Sequence, residues 1–368
     1  MRLKGFISRG HELMDGTKQQ SATLGEILSQ PAVWHGSLGQ LQENGLLQKV
    51  LEGTKPRTQW LFLGCGTSFY LAEAAAASWT LLTGEPARAL PASEPLLFPE
   101  LTLARSAGLQ AVVISRSGRT SETLRAANLL SREYRIPTLG VTCASGSPLE
   151  DACDQTIRIL SADEKSTVMT RSFTSMLLAL QNLAGLKAAN KSFAGALDSM
   201  ARHFSPQIHT LSEQIESFVR ERTFADYVFL GQGPFHGIAR EAALKVTEMS
   251  CSYGQVFHTL EFRHGPKAIV GPDTCLTFFL SESGNQAETE VLSEMKALGG
   301  VTVAICNRAN DTIRRSSDFV FELGLDAPEL VALAPFTVPA QLLGFFTGIK
   351  KGLDPDHPRN LSRVVILD

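Results

Sequence analysis

The chain of 368 residues carries 34 Lys and Arg against 37 Asp and Glu, a net charge of −3. With no basic block anywhere, it lacks the electrostatic footprint of a nucleic-acid binder, and no such partner is expected. Hydrophobic residues at 43% and charged residues at 19% are ample for buried cores, and the length suggests about two or three domains.

Taken in chain order, Met1-Arg2-Leu3-Lys4-Gly5-Phe6 lacks the apolar core of a signal peptide. Residues 1–48 read as a polar, helical lead-in. Leu61-Phe62-Leu63-Gly64-Cys65-Gly66 reads as a strand ending in G-x-G, followed by the helical run Leu71–Ala76. Gln110–Ser115, Pro137–Thr142 and Gln155–Leu160 read as strands, Thr120–Arg132 and Thr170–Ala189 as helices, and residues 190–222 as a helical connector. Val228-Phe229-Leu230-Gly231-Gln232-Gly233 then repeats the first strand and its G-x-G, and leads into a helix over Ile238–Lys245. Cys275–Leu280, Val301–Cys306 and Phe319–Leu323 are further strands, with a helix over Gln286–Ala297 between the first two.

Near-continuous apolar strands alternating with amphipathic helices imply parallel sheets covered on both faces. Right-handed crossovers make each half a three-layer αβα sandwich. The expected organisation is α/β, two tandem domains over 49–200 and 217–358, with a tail at 359–368. Leu330–Ile349 is apolar enough to raise the question of a membrane, but Pro335, Thr337, Pro339 and Gln341 favour a buried helix. The six cysteines at 65, 143, 153, 251, 275 and 306 form no C-x-x-C pair. They fit a reducing compartment, and a cytoplasmic location without membrane attachment is expected.

Two loops are candidates for binding an anion. Gly64-Cys65-Gly66-Thr67-Ser68 follows a strand and opens a helix, where free N–H groups favour negative charge. Ser115-Arg116-Ser117-Gly118-Arg119-Thr120 ends the next strand with a second hydroxyl-rich turn. A doubly wound sheet places its ligand at such strand ends. Read by themselves, both loops could also be ordinary turns with N-capping serines. Neither half completes a dinucleotide fingerprint.

Together these loops resemble the signature loops of the SIS (sugar isomerase) domain family. The resemblance implies two tandem flavodoxin-like SIS domains and phosphate binding by Cys65, Gly66, Thr67, Ser68, Ser115, Arg116, Ser117 and Thr120. In the second half, Glu241, Lys245 and Glu248 stand at i, i+4 and i+7 and share a helix face, a spacing that alone also fits a solvated salt-bridge stripe. The segment resembles the isomerase half of glucosamine-6-phosphate synthase. There the residue matching Glu248 moves a proton between C1 and C2, with Lys245 and Glu241 in support. His264, in Arg263-His264-Gly265-Pro266, matches a histidine that opens the sugar ring across a dimer interface, so a homodimer is implied. A carboxylate poised over both carbons and a histidine titrating near neutrality suit that chemistry. No metal-ligand spacing is present, and neither metal nor cofactor is expected.

The tail Pro358-Arg359-Asn360-Leu361-Ser362-Arg363 is also synthase-like, with Arg363 where the synthase has its Schiff-base lysine. A guanidinium cannot form that imine, and no glutaminase domain is expected before residue 50. Phe262–Lys267 and Glu26–Trp34 resemble tagatose-6-phosphate ketose/aldose isomerases. The expected function is an amino-sugar 6-phosphate isomerase/deaminase acting on a hexose or amino-hexose 6-phosphate, with Arg363 closing over the substrate. Alternatives are a plain aldose–ketose isomerase and a sugar-phosphate sensor.

Overall fold

The computed structural model describes residues 21–52, 59–104 and 107–367; residues 1–20 of the expected lead-in lie outside these. The lead-in folds as α1 (Ala22–Leu28), α2 (Gln30–Glu43) and α3 (Leu46–Glu52). It is part of the core rather than an appendage. Trp34 of α2 is fully buried and its indole N–H donates to Thr174 Oγ1 at 2.7 Å. The start of α1 is capped from the far end of the chain: Asp356 accepts the Ala22 N–H at 2.9 Å, the Thr23 N–H at 2.8 Å and the Ser21 hydroxyl at 2.9 Å. A carboxylate there satisfies N–H groups the helix leaves unpaired and complements its dipole.

The first sheet comprises β1 (Gln59–Gly64), β2 (Ala87–Pro91), β3 (Leu109–Ile114), β4 (Thr138–Thr142) and β5 (Gln155–Arg158), all parallel, in the order β2-β1-β3-β4-β5. The second comprises β6 (Asp226–Gly231), β7 (Gly254–Phe257), β8 (Thr274–Phe279), β9 (Val301–Cys306) and β10 (Phe319–Glu322), also parallel, ordered β10-β9-β8-β6-β7. Counted from each domain's own first strand, the two orders are the same. This is the doubly wound arrangement whose crevice lies between the first and third strands.

The covering helices are α4 (Thr67–Thr83), α5 (Ser121–Asn128), α6 (Arg171–Lys187), α7 (Lys191–Phe204), α8 (Ile208–Glu221), α9 (Pro234–Ser250), α10 (Asn285–Ala297) and α11 (Leu333–Lys350). The two edge strands β2 and β7 were not legible in the sequence. Both are only partly buried, so neither needs the continuous apolar run that marks the central strands, and β2 carries Arg88 and Pro91 in keeping with an edge. The helix expected over 120–132 is α-helical to Asn128 and continues as a π-turn over Leu129–Glu133.

The apolar segment after residue 329 is buried along its whole length. The span Glu329–Lys350 is long and apolar enough to cross a membrane by composition, yet its entire apolar window is covered by protein. α11 packs on α9 at backbone contact: a Cβ at Gly344 would meet the Lys245 carbonyl oxygen at 2.8 Å, and one at Gly348 would overlap the Met249 carbonyl. These glycines let the helices close together, which fixes α9 from behind.

Candidate active site

β1 and β3 are neighbours in register, with Leu63 opposite Val113, so the loops that follow them open side by side at the crevice. The first loop turns sharply at Gly66, φ 54° and ψ −127°, a conformation the second domain repeats at Gly233, φ 55° and ψ −128°. Only glycine adopts it without strain. No side chain caps α4 at Gly66, and Thr67 and Ser68 are buried at its first turn. The Cys65 sulfur lies 3.6 Å from Thr123 Oγ1, and burial pushes its thiol up. In the second loop Ser115 Oγ and Thr120 Oγ1 are 3.3 Å apart, and Ser117 Oγ accepts the Arg119 N–H at 3.2 Å.

α9 brings three ionisable groups to this crevice from the other domain. Lys245 is 0% exposed, and its Nζ lies 2.5 Å from Glu248 Oε2 and 3.1 Å from Thr67 Oγ1. Glu241 is wholly buried, with Oε1 3.3 Å from the same Nζ but outside hydrogen-bond geometry. Glu248 retains 18% side-chain exposure. One ammonium thus joins the carboxylate pair of the second domain to the loop of the first.

Burial is the largest influence on both buried groups. It pushes the Glu241 carboxyl up to about 8, with Lys245 only partly offsetting it and Glu248 adding to the rise. Burial alone would lower Lys245, but Glu241 and Glu248 together outweigh it and hold the ammonium above its usual range. Burial thus favours the protonated form of Glu241, and the two carboxylates favour the charged form of Lys245.

Three expected site residues sit differently. Arg116 is buried with its guanidinium committed inside the protein: to Glu164 Oε2 at 3.3 Å and to the carbonyls of Ser166, Thr167 and Arg363 at 3.4, 3.1 and 3.1 Å. Arg363 is exposed, and its side chain pairs with Asp163 at 2.6 Å. The tail beyond it lies on the second loop, where Val365 O accepts the Ser121 N–H at 3.2 Å and Ser121 Oγ accepts the Leu367 N–H at 2.9 Å. His264 is exposed at the end of a short 3-10 turn, and no hydrogen bond among the described residues joins its imidazole to Glu248. Glu164 and Asp163 were missed from the sequence. Their cationic partners, Arg116 and Arg363, are distant in the chain, and no local spacing marks the pairs.

A cavity of about 400 Å³ opens on another face of α9, lined by Tyr70, His236, Arg240, Ala243, Thr247 and Val256. None of the expected site residues lines it. Convergence of ionisable groups, rather than cavity size, places the candidate site at the crevice.

Residues 55–185 and 226–343 each match the SIS domain family. The chain belongs to the SIS family. It is 24% identical over 343 residues to a glutamine–fructose-6-phosphate aminotransferase (isomerizing) of Methanothermobacter thermautotrophicus, covering 91% of this chain and 54% of that protein. A protein of the same name from Pyrobaculum aerophilum is 28% identical over 270 residues, 70% of this chain and 44% of that one. The chain spans about half the length of these curated relatives. Among solved structures, glucosamine-6-phosphate deaminase from Thermotoga maritima is similar with a TM-score of 0.77 at 29% identity, covering 94% of this chain and 100% of that one. Tagatose-6-phosphate ketose/aldose isomerase from Escherichia coli shares the fold, with a TM-score of 0.84 at 22% identity over 96% and 97% of the two chains.

The two SIS domains are not equivalent at their crevices. Counted from Gly66 and Gly233, α4 has Ala74, Ser78 and Leu81 where α9 has Glu241, Lys245 and Glu248. After β8 the sequence Ser281-Glu282-Ser283-Gly284 echoes Ser115-Arg116-Ser117-Gly118, with an acid in place of the arginine. That second turn already holds a carboxylate. Glu329 accepts the Glu282 and Ser283 N–H groups at 2.9 and 3.1 Å, and the Ser283 hydroxyl as well. Among the described residues, the Glu241–Lys245–Glu248 cluster reaches the first crevice through Thr67.

Proposed function

We propose that this SIS chain is an amino-sugar-6-phosphate isomerase/deaminase, converting glucosamine 6-phosphate or galactosamine 6-phosphate with water to a ketose 6-phosphate and ammonia. The observation that carries this reading is the bridge through Lys245, which sets Glu248 beside the Thr67–Ser68 loop. The likeness over 94% of the chain to the glucosamine-6-phosphate deaminase of Thermotoga maritima supports it further.

In this reading the phosphate binds at the loops after β1 and β3, which leaves C1 and C2 of the opened sugar near Glu248. Glu248 takes the proton from C2 and returns one to C1, acting as base and then acid. The Lys245 ammonium, 2.5 Å from the Glu248 carboxylate, also stabilises negative charge developing along C1–C2–O1. O1 gains a proton and the nitrogen gives one up, which leaves C1 as the alcohol and an imine on C2; water adds there and expels ammonia. No protein amine is needed for that step, which is consistent with Arg363 in the tail. His264, exposed and apart from Glu248 within one chain, would open the ring from a second copy of the chain in a homodimer.

The test is release of ammonia and ketose 6-phosphate from each amino sugar phosphate. Both products are expected from one or both substrates, with Glu248→Gln folded as the parent and lowered in turnover by at least about a thousandfold. Unchanged turnover in Glu248→Gln would refute the proton-shuttle assignment. Interconversion of hydroxy-sugar phosphates without any ammonia would replace the deaminase with a plain isomerase.

A further inference from the structure

We infer that Arg116 is a positioning residue of the phosphate loop, not a phosphate ligand: it holds Glu164 off the loop and clasps the C-terminal tail across it. The inference rests on the reading of the first crevice as the phosphate site and adds how that site is kept open and covered.

An arginine in a hydroxyl-rich loop at a strand end invites assignment to the phosphate. Its surroundings say otherwise. The side chain is only 4% exposed, and its positive charge is already matched by Glu164, whose own side chain is 0% exposed. Glu164 is held in turn by the Thr170 N–H at 2.6 Å, the Thr170 hydroxyl at 2.8 Å, the Ser172 N–H at 3.2 Å and the Ser172 hydroxyl. The remaining guanidinium contacts go to three main-chain carbonyls, two in the segment after β5 and one in the tail. A guanidinium donates five N–H bonds in a rigid fork. Here Nη1 and Nη2 are both committed to acceptors inside the protein and the charge is already matched by Glu164, which leaves little for an anion at the loop.

The second domain is an internal control. There the matching residue is Glu282, with no cation at that place in the turn, and of the two acids after the last strand, Asp326 and Glu329, the second lies on the loop N–H groups. In the first domain two acids follow the last strand: Asp163 pairs with Arg363, and Glu164 is bound by Arg116 instead of lying on the loop. The same guanidinium reaches the Arg363 carbonyl, and beyond that contact the tail crosses Ser121. Arg116, together with Thr170 and Ser172, thereby keeps an internal carboxylate from competing for the loop, and the same guanidinium fastens the cover.

The contact makes a test that requires no turnover, because the carbonyl Arg116 clasps belongs to the bond trypsin cuts after Arg363. In the full-length chain, Arg116→Gln is expected to speed cleavage after Arg363 by about tenfold relative to cleavage after Arg359. Because a buried Glu164 left unpaired could unfold the chain, the same measurement is made on Arg116→Gln/Glu164→Gln, which buries no charge and is expected to behave alike. Unchanged relative cleavage in the folded double variant would overturn the clasp.

The second arm measures inorganic phosphate binding by calorimetry and KM against kcat for the amino sugar phosphate. The double variant and a chain ending at Leu361 should each weaken phosphate binding and raise KM by about tenfold, with kcat within about twofold. Combining them should add nothing. A further tenfold loss when the double substitution Arg116→Gln/Glu164→Gln is made in the shortened chain would show that Arg116 meets the phosphate itself. If neither amino sugar turns over, the cleavage and phosphate results still decide the role of Arg116, so the two readings can fail separately.

Discussion

Replacing Lys245 with Met keeps the length of the side chain and removes the ammonium on which the crevice is built. The cost should depend on pH in a way the wild type explains. In the wild type, burial raises Glu241 to about 8, so the folded chain keeps that proton while the unfolded chain loses it near 4.5. Stability from this group is fully present below about 4.5, falls as pH rises, and levels off once Glu241 ionises beside Lys245 near 8. Without Lys245 the carboxyl has no charge partner within the pair, so the loss continues above pH 8. Near pH 6.5 the variant should lose the bonds to Thr67 and Glu248, at 3.1 and 2.5 Å, worth about 2 kcal/mol for charge-assisted pairs. Above pH 8 the gap should widen by roughly 1.4 kcal/mol per pH unit, to about 4 kcal/mol at pH 9.5. Urea unfolding of both proteins at pH 6.5, 8 and 9.5 measures it. A gap that stays constant across that range would refute the description of Glu241 as a buried acid made ionisable by Lys245.

Other expectations follow from single contacts. Gly348→Ala should destabilise the fold by about 1–3 kcal/mol through overpacking against Met249 and should lower kcat by displacing α9, with thermal unfolding and turnover as readouts. Burial raises Glu288 to about 7 from 4.5, so its contribution to stability is present below 4.5 and lost as pH rises through 7. Glu288→Gln should therefore flatten the decline in stability between those values, as read by urea midpoints. Asp356→Ala should cost about 1–2 kcal/mol by uncapping α1 and should speed hydrogen exchange at Ala22 and Thr23. A variant that unfolds at the parent's midpoint would count against that cap.

The repeated strand, G-x-G and helix was readable because each piece is local: apolar runs of strand length, then a turn only glycine makes, then helical periodicity. The same locality shows that Glu241, Lys245 and Glu248 share a face, since i, i+4 and i+7 are fixed by helix geometry. Spacing could not say what that face meets. A solvated stripe and a buried cluster have the same sequence, and the choice was made by α11 closing on α9 through Gly344 and Gly348 and by Thr67 arriving from the other domain. Arg116 shows the reverse case: the loop was legible, but the direction of the side chain depends on Glu164 and on a tail carbonyl more than two hundred residues away. The edge strands β2 and β7 also escaped notice, because a half-buried strand needs only a weak apolar pattern. Local pattern was therefore enough for the two SIS folds and for the faces their residues occupy. Which crevice meets the Glu241–Lys245–Glu248 cluster and which has its turn occupied by Glu329 came from the packing, because charge pairing and burial depend on groups that folding brings together from distant parts of the chain.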